Sequence, residues 1–463
     1  MVDDPFRPIT DEEADRLLAP LKGWPCVALA VSGGADSTAL MWLAARWQRR
    51  RGGAPAVHVL TVDHGLRPEA AAECEKVADL AARLDLLCTI LRWRPPADLS
   101  SGLQAAARAA RYRLMGEWCM AHEAVLVTAH TLEDQAETFL MRLARGSGVD
   151  GLAGMAPIAR VPFVEERLGR PPPPHLLRPL LEVPRARLRA TLQAAGIAWI
   201  EDPSNRDDAF ERVRVRRLLK ILEEAGVSPA AMARSARRLQ RAADALEAAA
   251  AEVLHAHLTP HRLLWGELPL EALCPQPEEV RLRVLRRLIA AFGASRPYPL
   301  PLEDLERLLA EWFDPACADP DRPPGGRTLG GAFLRIRRRQ MVIGREPGRI
   351  RHALVLEPGE KVVTGLWDGR VHITLIKPSA PVRVTHLGAL TKSSKDVPLP
   401  EDMPRRPRRT PAPAWAAQPV VVSMTGEVLA LPLMGWQVPH APFARLRARP
   451  ARNLLAGPID GED

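Results

Sequence analysis

The sequence predicts an α/β protein in which an N-terminal domain with a parallel sheet is followed by a helical middle domain and a small β-rich C-terminal domain. Three features support this prediction. Short apolar, β-branched runs alternate with longer helical patterns as far as about residue 145, helical patterns dominate from 228 to about 312, and strand-like runs separated by Gly and Pro follow Pro347. We therefore expect three domains, at residues 1–220, 228–347 and 353–452.

The parallel sheet is predicted from four short apolar runs that are typical of buried strands. They are Val27–Val31, Val57–Val62, Leu86–Leu91 and Ala124–Ala129, and helical stretches near 37–50, 69–83 and 103–121 separate them. In open sheets of this kind the ligand binds beyond the carboxyl ends of the strands. The residues that follow each run are therefore the first candidates for a functional site.

Further elements follow in the order that their local signals predict. Residues 161–174 are proline-rich and predict an exposed insertion, because proline lacks the amide hydrogen that a sheet requires. We expect a helix at 184–196, a basic segment at 211–220, and a long helix from its N-cap Ser228 to about His257. A β stretch at 331–344 closes the middle domain, and the C-terminal runs are VHITLI, PVRVTHL, VVVSM and EVLALPL.

Composition narrows the classes of protein to which the chain can belong. Hydrophobic residues make up 47% and charged residues 26%, both typical of globular proteins, and no apolar run is long enough to span a membrane. The acidic start shows no secretory signal, so we expect a cytoplasmic protein without a membrane partner. Six scattered cysteines without a CxxC pair argue against a disulfide framework, a zinc ribbon or an iron–sulfur site. The net charge of +9, carried mostly by 57 arginines, suits an anionic partner.

The sharpest motif is AVSGGADSTAL at residues 30–40, which follows the first predicted strand and opens a helix. Adjacent glycines let the backbone close on an oxyanion, and the amides of a helix N-terminus favour negative charge. Asp36 among phosphate-binding groups is suited to hold Mg²⁺. The alternative is a tight strand–helix turn in which Asp36 is only a cap. The predicted ATP-binding residues are Ser32, Gly33, Gly34, Ala35, Asp36 and Ser37.

A second cluster follows the fourth predicted strand, in the segment TAHTLEDQAET at residues 128–138. His130, Asp134 and Glu137 are spaced so that they share a helical face if the first turns are formed. Such groups can orient a metal, hold an ammonium group or accept its proton. Together with Asp36 they are the predicted catalytic residues. The alternative is helix capping by His130 and Asp134 with Glu137 in solvent.

The SGGADS loop resembles that of the ATP pyrophosphatases, and three further segments narrow the resemblance. TVDHGLR at 61–67, RPLL at 178–181 and WIEDPSNRDDAFERVRVR at 199–216, taken with the segment 128–138, make residues 25–220 similar to the tRNA(Ile)-lysidine synthetases. The resemblance implies an adenine nucleotide alpha hydrolase-like (PP-loop) domain that uses ATP and Mg²⁺. It also implies adenylation of the wobble cytidine in a CAU-anticodon tRNA(Ile), followed by attack of free L-lysine that releases AMP.

The chain departs from the family pattern at three positions. The second motif usually carries His–His and Asp–Asp pairs, whereas Thr131 and Glu133 replace one member of each pair here. An Asn usually follows the arginine that corresponds to Arg212, and this chain has Val213 instead.

Arginines are the predicted tRNA contacts, because guanidinium groups bind phosphates in a bidentate manner. The alternative for each arginine is that it lies on a solvent-exposed helix face and contacts no RNA. Two other functions stay open at this point: a different PP-loop tRNA modification such as thiolation, and a non-catalytic RNA-binding protein. The predicted tRNA-binding residues are Arg108, Arg111, Arg185, Arg187, Arg212, Arg214 and Arg216.

Overall fold

A computed structural model describes residues 6–65, 69–95, 102–164, 173–201, 211–294, 300–351, 353–359, 361–393 and 399–450. The chain forms two compact units, and the division falls between Ala243 and Asp244, within one long helix. Each unit has its own sheets and its own buried core. No helix among the described residues is long and apolar enough to cross a membrane.

The first unit alternates strands and helices, as the sequence predicts. Its elements are α1 (Asp11–Leu17), β1 (Cys26–Ala30), α2 (Ala35–Arg50), β2 (Ala56–Asp63), α3 (Glu69–Arg83), β3 (Leu87–Arg92), α4 (Leu103–Ala121), β4 (Ala124–Val127), α5 (Leu132–Leu143), α6 (Val149–Leu152), β5 (Ile158–Arg160), β6 (His175–Leu177), α7 (Arg185–Ala194), α8 (Glu211–Glu224) and α9 (Pro229–His257). The six strands lie in the order β3-β2-β1-β4-β6-β5.

Strand β1 lies inside this sheet and is buried on both faces. It pairs in parallel with β2 on one side and with β4 on the other. Val27 and Leu29 face a core that contains residues of α2 and α7, whereas Ala28 faces the core formed with α4. This burial on both sides explains why the parallel strands are continuous apolar runs. Only β5 runs antiparallel, against β6, among the described strands of this sheet.

The parallel pairing sets the position of the functional site. Because β1, β2 and β4 run in one direction, their carboxyl ends meet at one edge of the sheet. The loop after β1 and the segment after β4 therefore converge there. The four predicted strands and the three helices between them are all present, with ends that differ by only one or two residues.

The second unit combines helices with three antiparallel sheets. After the C-terminal part of α9 come β7 (Thr259–His261), β8 (Trp265–Pro269), α10 (Leu270–Leu273), α11 (Glu278–Phe292), α12 (Leu302–Leu308), a π-helical turn (Leu309–Phe313), α13 (Asp314–Ala318), β9 (Arg327–Leu329), β10 (Ala332–Arg337), β11 (Gln340–Arg345), β12 (Leu354–Leu356), β13 (Val362–Trp367), β14 (Val371–Ile376), β15 (Val382–His386), α14 (Leu387–Ser393), α15 (Ala412–Ala416), β16 (Pro419–Ser423), β17 (Val428–Leu431), β18 (Trp436–Gln437) and β19 (Arg445–Pro450).

The sheet β7-β8-β11-β10-β9 is covered on both faces. Leu334 and Ile343 pack in the core with α11 and α12, whereas Phe333 and Val342 pack in the core of the following β-rich segment. The helical and β-rich parts of this unit therefore share a sheet between their cores. The remaining strands form the sheets β12-β15-β16-β17-β18 and β13-β14-β19.

Two sequence expectations need correction, and others lie partly outside the described residues. The β7–β8 hairpin lies within a region that was expected to be helical, because its strands are too short to give a clear alternation. Cys274 and Cys317 form a disulfide, although the absence of a CxxC pair argued against disulfides. The two cysteines lie 43 residues apart, so tertiary packing rather than local spacing brings them together. The insertion expected at 161–174 and the segment 199–216 extend into the undescribed residues 165–172 and 202–210.

Candidate active site at the carboxyl ends of the parallel strands

The loop between β1 and α2 closes tightly at Gly33. Its φ is +84°, which L side chains rarely adopt. A Cβ at this position would lie 2.5 Å from Cδ1 of Ile200. The carbonyl oxygen of Gly33 accepts hydrogen bonds from the amide of Ile200 at 2.9 Å and from Oγ1 of Thr38 at 3.1 Å. Both the backbone conformation and the neighbouring chain therefore require glycine here.

Helix α2 begins directly after this turn, with Gly34 as its N-cap. Gly34 has no side chain to bond the first-turn amides, so those donors remain available to an anion. Oγ of Ser37 donates to the carbonyl of Gly34 at 3.0 Å and lies 3.3 Å from Oγ of Ser32. Two hydroxyl groups thus flank the helix N-terminus. The arrangement has the form of a phosphate cradle.

Asp36 lies in the first turn of α2 and does not cap it, which removes the capping alternative. Its Oδ2 accepts from Nε of Arg185 at 3.1 Å, and its Oδ1 is buried with no hydrogen-bond partner among the described residues. Burial raises the pKa of Asp36 to about 6, and the guanidinium of Arg185 opposes that rise. An unpartnered buried carboxylate oxygen beside a phosphate cradle fits a Mg²⁺ ligand.

Four carboxylates surround Arg185, and we call them the acid cluster: Asp36, Glu133, Asp134 and Glu137. The guanidinium donates to Asp36, to Oδ1 of Asp134 at 2.5 Å and to Oε1 of Glu137 at 3.1 Å. The backbone amide of Arg185 donates to both carboxylate oxygens of Glu133 at 3.0–3.1 Å. These carboxylates raise the pKa of Arg185 despite its burial. The predicted catalytic acids are thus brought together by one cation.

Thr131, rather than His130, caps helix α5. Its side chain and amide exchange hydrogen bonds with Asp134 in a capping box, with Oγ1 and Oδ2 2.9 Å apart. The pattern Thr-x-x-Asp is a recognisable signal for this motif. Asp134 therefore has two structural partners, Thr131 on one oxygen and Arg185 on the other. Thr131 and Glu133 are the two positions at which this segment differs from the family pattern. Thr131 caps α5, and the Glu133 carboxylate accepts from the backbone amide at the start of α7.

Glu137 is fully buried, with an exposed fraction of 0%, so it does not lie in solvent. Its Oε1 accepts from Arg185 and from Nε of Arg216 at 2.7 Å. Its Oε2 has no hydrogen-bond partner among the described residues. A buried carboxylate oxygen without a partner is costly unless a ligand uses it. Glu137 and Asp36 each keep one such buried oxygen.

His130 is influenced by charges of both signs, from Asp134 and from three arginines. Its Nδ1 is 2.8 Å from Oγ1 of Thr128. Burial lowers the pKa of His130 well below its usual value, and the positive charges of Arg178, Arg108 and Arg212 act in the same direction against the pull of the Asp134 carboxylate. The imidazole is therefore neutral at pH 7 and can accept a hydrogen bond, and the same surroundings make it a weak base.

The predicted tRNA-binding arginines lie in different surroundings. Arg108 and Arg111 flank the buried ring of Tyr112, at 5.1 and 5.6 Å from its centroid, and burial lowers the pKa of Arg111. Arg187 donates to Glu13 at 2.7 Å. Arg212, Arg214 and Arg216 share α8, where the family departure Val213 is buried. Arg185 and Arg216 are engaged with carboxylates of the site.

Sequence reasoning missed several residues that shape the site. Gln135 on α5 pairs its side-chain amide with both the amide and the carbonyl of Met155, at 2.7 and 2.8 Å. Arg142, also on α5, donates to the carbonyls of Gly151 and Gly154. Arg178, the first residue of RPLL, donates to the carbonyl of Ala156 at 2.6 Å. These contacts link residues 9 to 22 positions apart, so no local pattern reveals them.

The predicted strand end TVDHGLR supplies a further partly buried group. Asp63 accepts from the amide of Gly65 at 2.9 Å and from Arg94 at 3.3 Å, which helps to hold its pKa below the usual value. Nδ1 of His64 is buried with no partner among the described residues, and burial lowers its pKa. No group of three or more His, Cys, Asp or Glu in the described part of the chain forms a protein-only metal site. A Mg²⁺ ion that also binds the phosphates of ATP needs only one or two carboxylates.

A cradle of this form on a parallel sheet defines a nucleotide-binding domain of the PP-loop class. The PP-loop domain family model matches residues 7–222.

Curated relatives identify the family. The chain is 44% identical to the tRNA(Ile)-lysidine synthase of Bradyrhizobium diazoefficiens over 365 residues, which cover 76% of this chain and 98% of the relative. It is 45% identical to that of Methylobacterium nodulans, covering 74% and 98%, and 36% identical to that of Ruegeria pomeroyi, covering 74% and 75%. The chain belongs to the tRNA(Ile)-lysidine synthase family.

A solved structure is more distant. The U34-tRNA thiolase NcsA from Methanococcus maripaludis with its [4Fe-4S] cluster matches 49% of this chain and 78% of its own chain, at 17% identity and a TM-score of 0.40. That likeness is too low to bear on function.

Proposed function

We propose that this chain is an ATP-dependent ligase that joins L-lysine to the wobble cytidine of a CAU-anticodon tRNA(Ile) in the cytoplasm and releases AMP and pyrophosphate. The observation that carries the proposal is the acid cluster beside the phosphate cradle, with Asp36 belonging to both. One edge of the sheet thus offers groups for a nucleotide and groups for an organic cation. The relatives at 44–45% identity support the same reaction.

The cradle binds and orients ATP for the first step. Amides at the start of α2 donate to phosphate oxygens, and the hydroxyl groups of Ser32 and Ser37 lie beside them. Oδ1 of Asp36 would hold Mg²⁺, which would supply positive charge to offset the charge on the leaving pyrophosphate. The carbonyl oxygen of the cytidine then forms a bond to the α-phosphorus, and pyrophosphate leaves.

The acid cluster receives lysine for the second step. Its four carboxylates face two guanidinium groups, those of Arg185 and Arg216, so it attracts a further cation. Oε2 of Glu137 is the buried acceptor for an ammonium group. The lysine amine must lose a proton before it attacks the ring carbon, and we propose that a carboxylate of the acid cluster accepts it, while neutral His130 offers a hydrogen-bond acceptor. The amine forms the carbon–nitrogen bond, and AMP leaves.

The tRNA supplies the negative partner that the basic surface requires. We propose that Arg108, Arg111, Arg212 and Arg214 contact the tRNA near the site, and that residues 228–347 and 353–452 form further tRNA-binding domains. Single-stranded anticodon bases and tRNA shape are the features that a protein can distinguish in RNA. Such contacts separate tRNA(Ile) from methionine tRNA, which shares the CAU anticodon.

The described free cysteines argue against the thiolation alternative. Thiolation chemistry ordinarily uses reactive or cluster-binding cysteines. Here burial raises the pKa of Cys88 to about 11 and that of Cys119 to about 12, so both remain protonated at neutral pH. Burial raises the pKa of Cys26 and Cys74 as well. A purely RNA-binding role would leave the buried oxygens of Asp36 and Glu137 without a use.

Transfer of radiolabelled lysine tests the proposal directly. The purified chain is incubated with ATP, Mg²⁺ and unmodified CAU-anticodon tRNA(Ile), with methionine tRNA as the control substrate. Label on tRNA(Ile) alone is the expected result. Release of AMP that depends on tRNA, without label, would retain the adenylation step and require another nucleophile. Absence of both would refute the proposal.

A further inference from the structure

Arg185 stands out because its contacts join two parts of the site. It is the first residue of α7, and its backbone amide is fixed by the Glu133 carboxylate from α5. Its side chain is only 20% exposed. From this position the guanidinium reaches Asp36 on α2 and two acids on α5. No other described cation contacts both the nucleotide side and the lysine side of the acid cluster.

Each nitrogen of the guanidinium is assigned to a different carboxylate. Nε donates to Asp36 at 3.1 Å, Nη2 to Asp134 at 2.5 Å and Nη1 to Glu137 at 3.1 Å. The guanidinium is planar and rigid, so three simultaneous contacts fix the separation of the three acids. A lysine at this position would keep the charge, but its single nitrogen would not hold this geometry.

The oxygens that Arg185 leaves unused are those that ligands need. Arg185 binds Oδ2 of Asp36 and Oε1 of Glu137, while Oδ1 of Asp36 and Oε2 of Glu137 stay buried without partners among the described residues. A salt bridge that served stability alone would gain from satisfying every buried carboxylate oxygen. The observed pattern instead leaves one oxygen of Asp36 and one of Glu137 without a hydrogen-bond partner among the described residues.

We propose that Arg185 is a positioning residue that sets the distance between the nucleotide-binding Asp36 and the lysine-binding Glu137, so that the adenylated cytidine and the lysine amine meet in reactive geometry. This proposal rests on the proposed function. It assigns Arg185 to the interior of the site, in place of the tRNA phosphate contact that the sequence predicted. A misplacement of about 1 Å in such an arrangement costs about 100-fold in rate.

The test compares Arg185→Lys with Arg189→Lys, a matched control in which an exposed arginine of the same helix is changed. We expect Arg185→Lys to lower kcat for lysine transfer by about 100-fold. The KM for ATP and the Kd of tRNA in filter binding should stay within about threefold, and Arg189→Lys should match the parent chain. Thermal unfolding of each variant, with assays well below its Tm, separates loss of geometry from loss of fold.

Binding measurements without turnover give a second readout. Calorimetry with a non-hydrolysable ATP analogue and Mg²⁺ should show nearly unchanged affinity in Arg185→Lys, because the cradle itself is intact. If tRNA affinity falls in proportion to kcat, Arg185 is a phosphate contact and the proposal is wrong. If kcat is unchanged, the proposal is also wrong. Failure of the parent chain to transfer lysine would instead contradict the proposed function, which keeps the two outcomes distinct.

Discussion

Replacement of Gly33 by alanine tests whether the loop after β1 is built as the structure describes. Two separate costs are expected. A residue with a Cβ at φ +84° loses about 1–2 kcal/mol relative to glycine. The new methyl group would also lie 2.5 Å from Cδ1 of Ile200, and overpacking of this kind costs about 1–3 kcal/mol. Together they predict that Gly33→Ala destabilises the first unit by about 2–5 kcal/mol.

The neighbouring glycine provides the matched control. Gly34 has φ −68°, and a Cβ there would lie 3.8 Å from Oγ of Ser32, an ordinary contact. Gly34→Ala should therefore change stability by less than about 0.5 kcal/mol. Its methyl group would nevertheless occupy open space at the helix N-terminus, where a phosphate must approach. We expect its Kd for ATP to rise at least about tenfold.

A double-mutant cycle separates the two costs at Gly33. Ile200→Val removes the Cδ1 atom that the new methyl group would meet. In that background Gly33→Ala should cost mainly the backbone contribution of about 1–2 kcal/mol, because only the 3.3 Å approaches to Cγ1 of residue 200 and Cγ2 of Val77 remain. Urea unfolding measures the stabilities, and calorimetry with ATP measures the affinities. Equal destabilisation by Gly33→Ala and Gly34→Ala, or no coupling to Ile200, would refute the described geometry. Unchanged ATP binding in Gly34→Ala would refute the phosphate cradle.

The remaining predictions address the metal, pH and redox. Asp36→Ala should abolish tRNA-dependent ATP–pyrophosphate exchange with tRNA affinity intact, and retained exchange would remove Asp36 from the site. The Arg187 guanidinium lowers the pKa of Glu13 from 4.5 to about 2, so its contribution, at most about 3 kcal/mol, is present above pH 4.5 and is lost as pH falls toward 2. Urea unfolding of Glu13→Gln should differ from the parent chain at pH 7 and converge with it near pH 2; a constant difference would contradict this. The Cys274–Cys317 disulfide closes a separation of 43 residues and contributes about 4 kcal/mol, so dithiothreitol should lower the Tm of the parent chain but not of Cys274→Ser.

The strands and helices of the first unit could be predicted because their signals are local. A strand buried on both faces, such as β1, must be apolar throughout, and the start of α9 carries its own signal in Ser228, whose Oγ accepts from the amide of Ala231. The β7–β8 hairpin escaped prediction because its pairing with β11, about 75 positions away, stabilises it rather than its own sequence.

The sequence could predict that the candidate site segments lie together, but not which contacts their side chains make. The loop after β1 and the acids after β4 follow strand ends, so topology alone brings them to one edge. The cation between them comes from position 185, which lies 149 residues from Asp36. Its sequence neighbourhood is simply basic, and basic segments commonly indicate RNA contact. Only the packing of α7 against α2 places this one arginine inside.

Helix α5 has consequences for how the chain can change. Its first turn forms a capping box, and Glu137 on this helix belongs to the acid cluster. Other side chains of α5 hydrogen-bond to residues 151–155, and Ala136 packs against α8. Substitution at most positions of α5 would therefore require a compensating change elsewhere in the chain. Under the positioning role proposed for Arg185, a library designed to alter the accepted amino acid should leave both α5 and Arg185 intact.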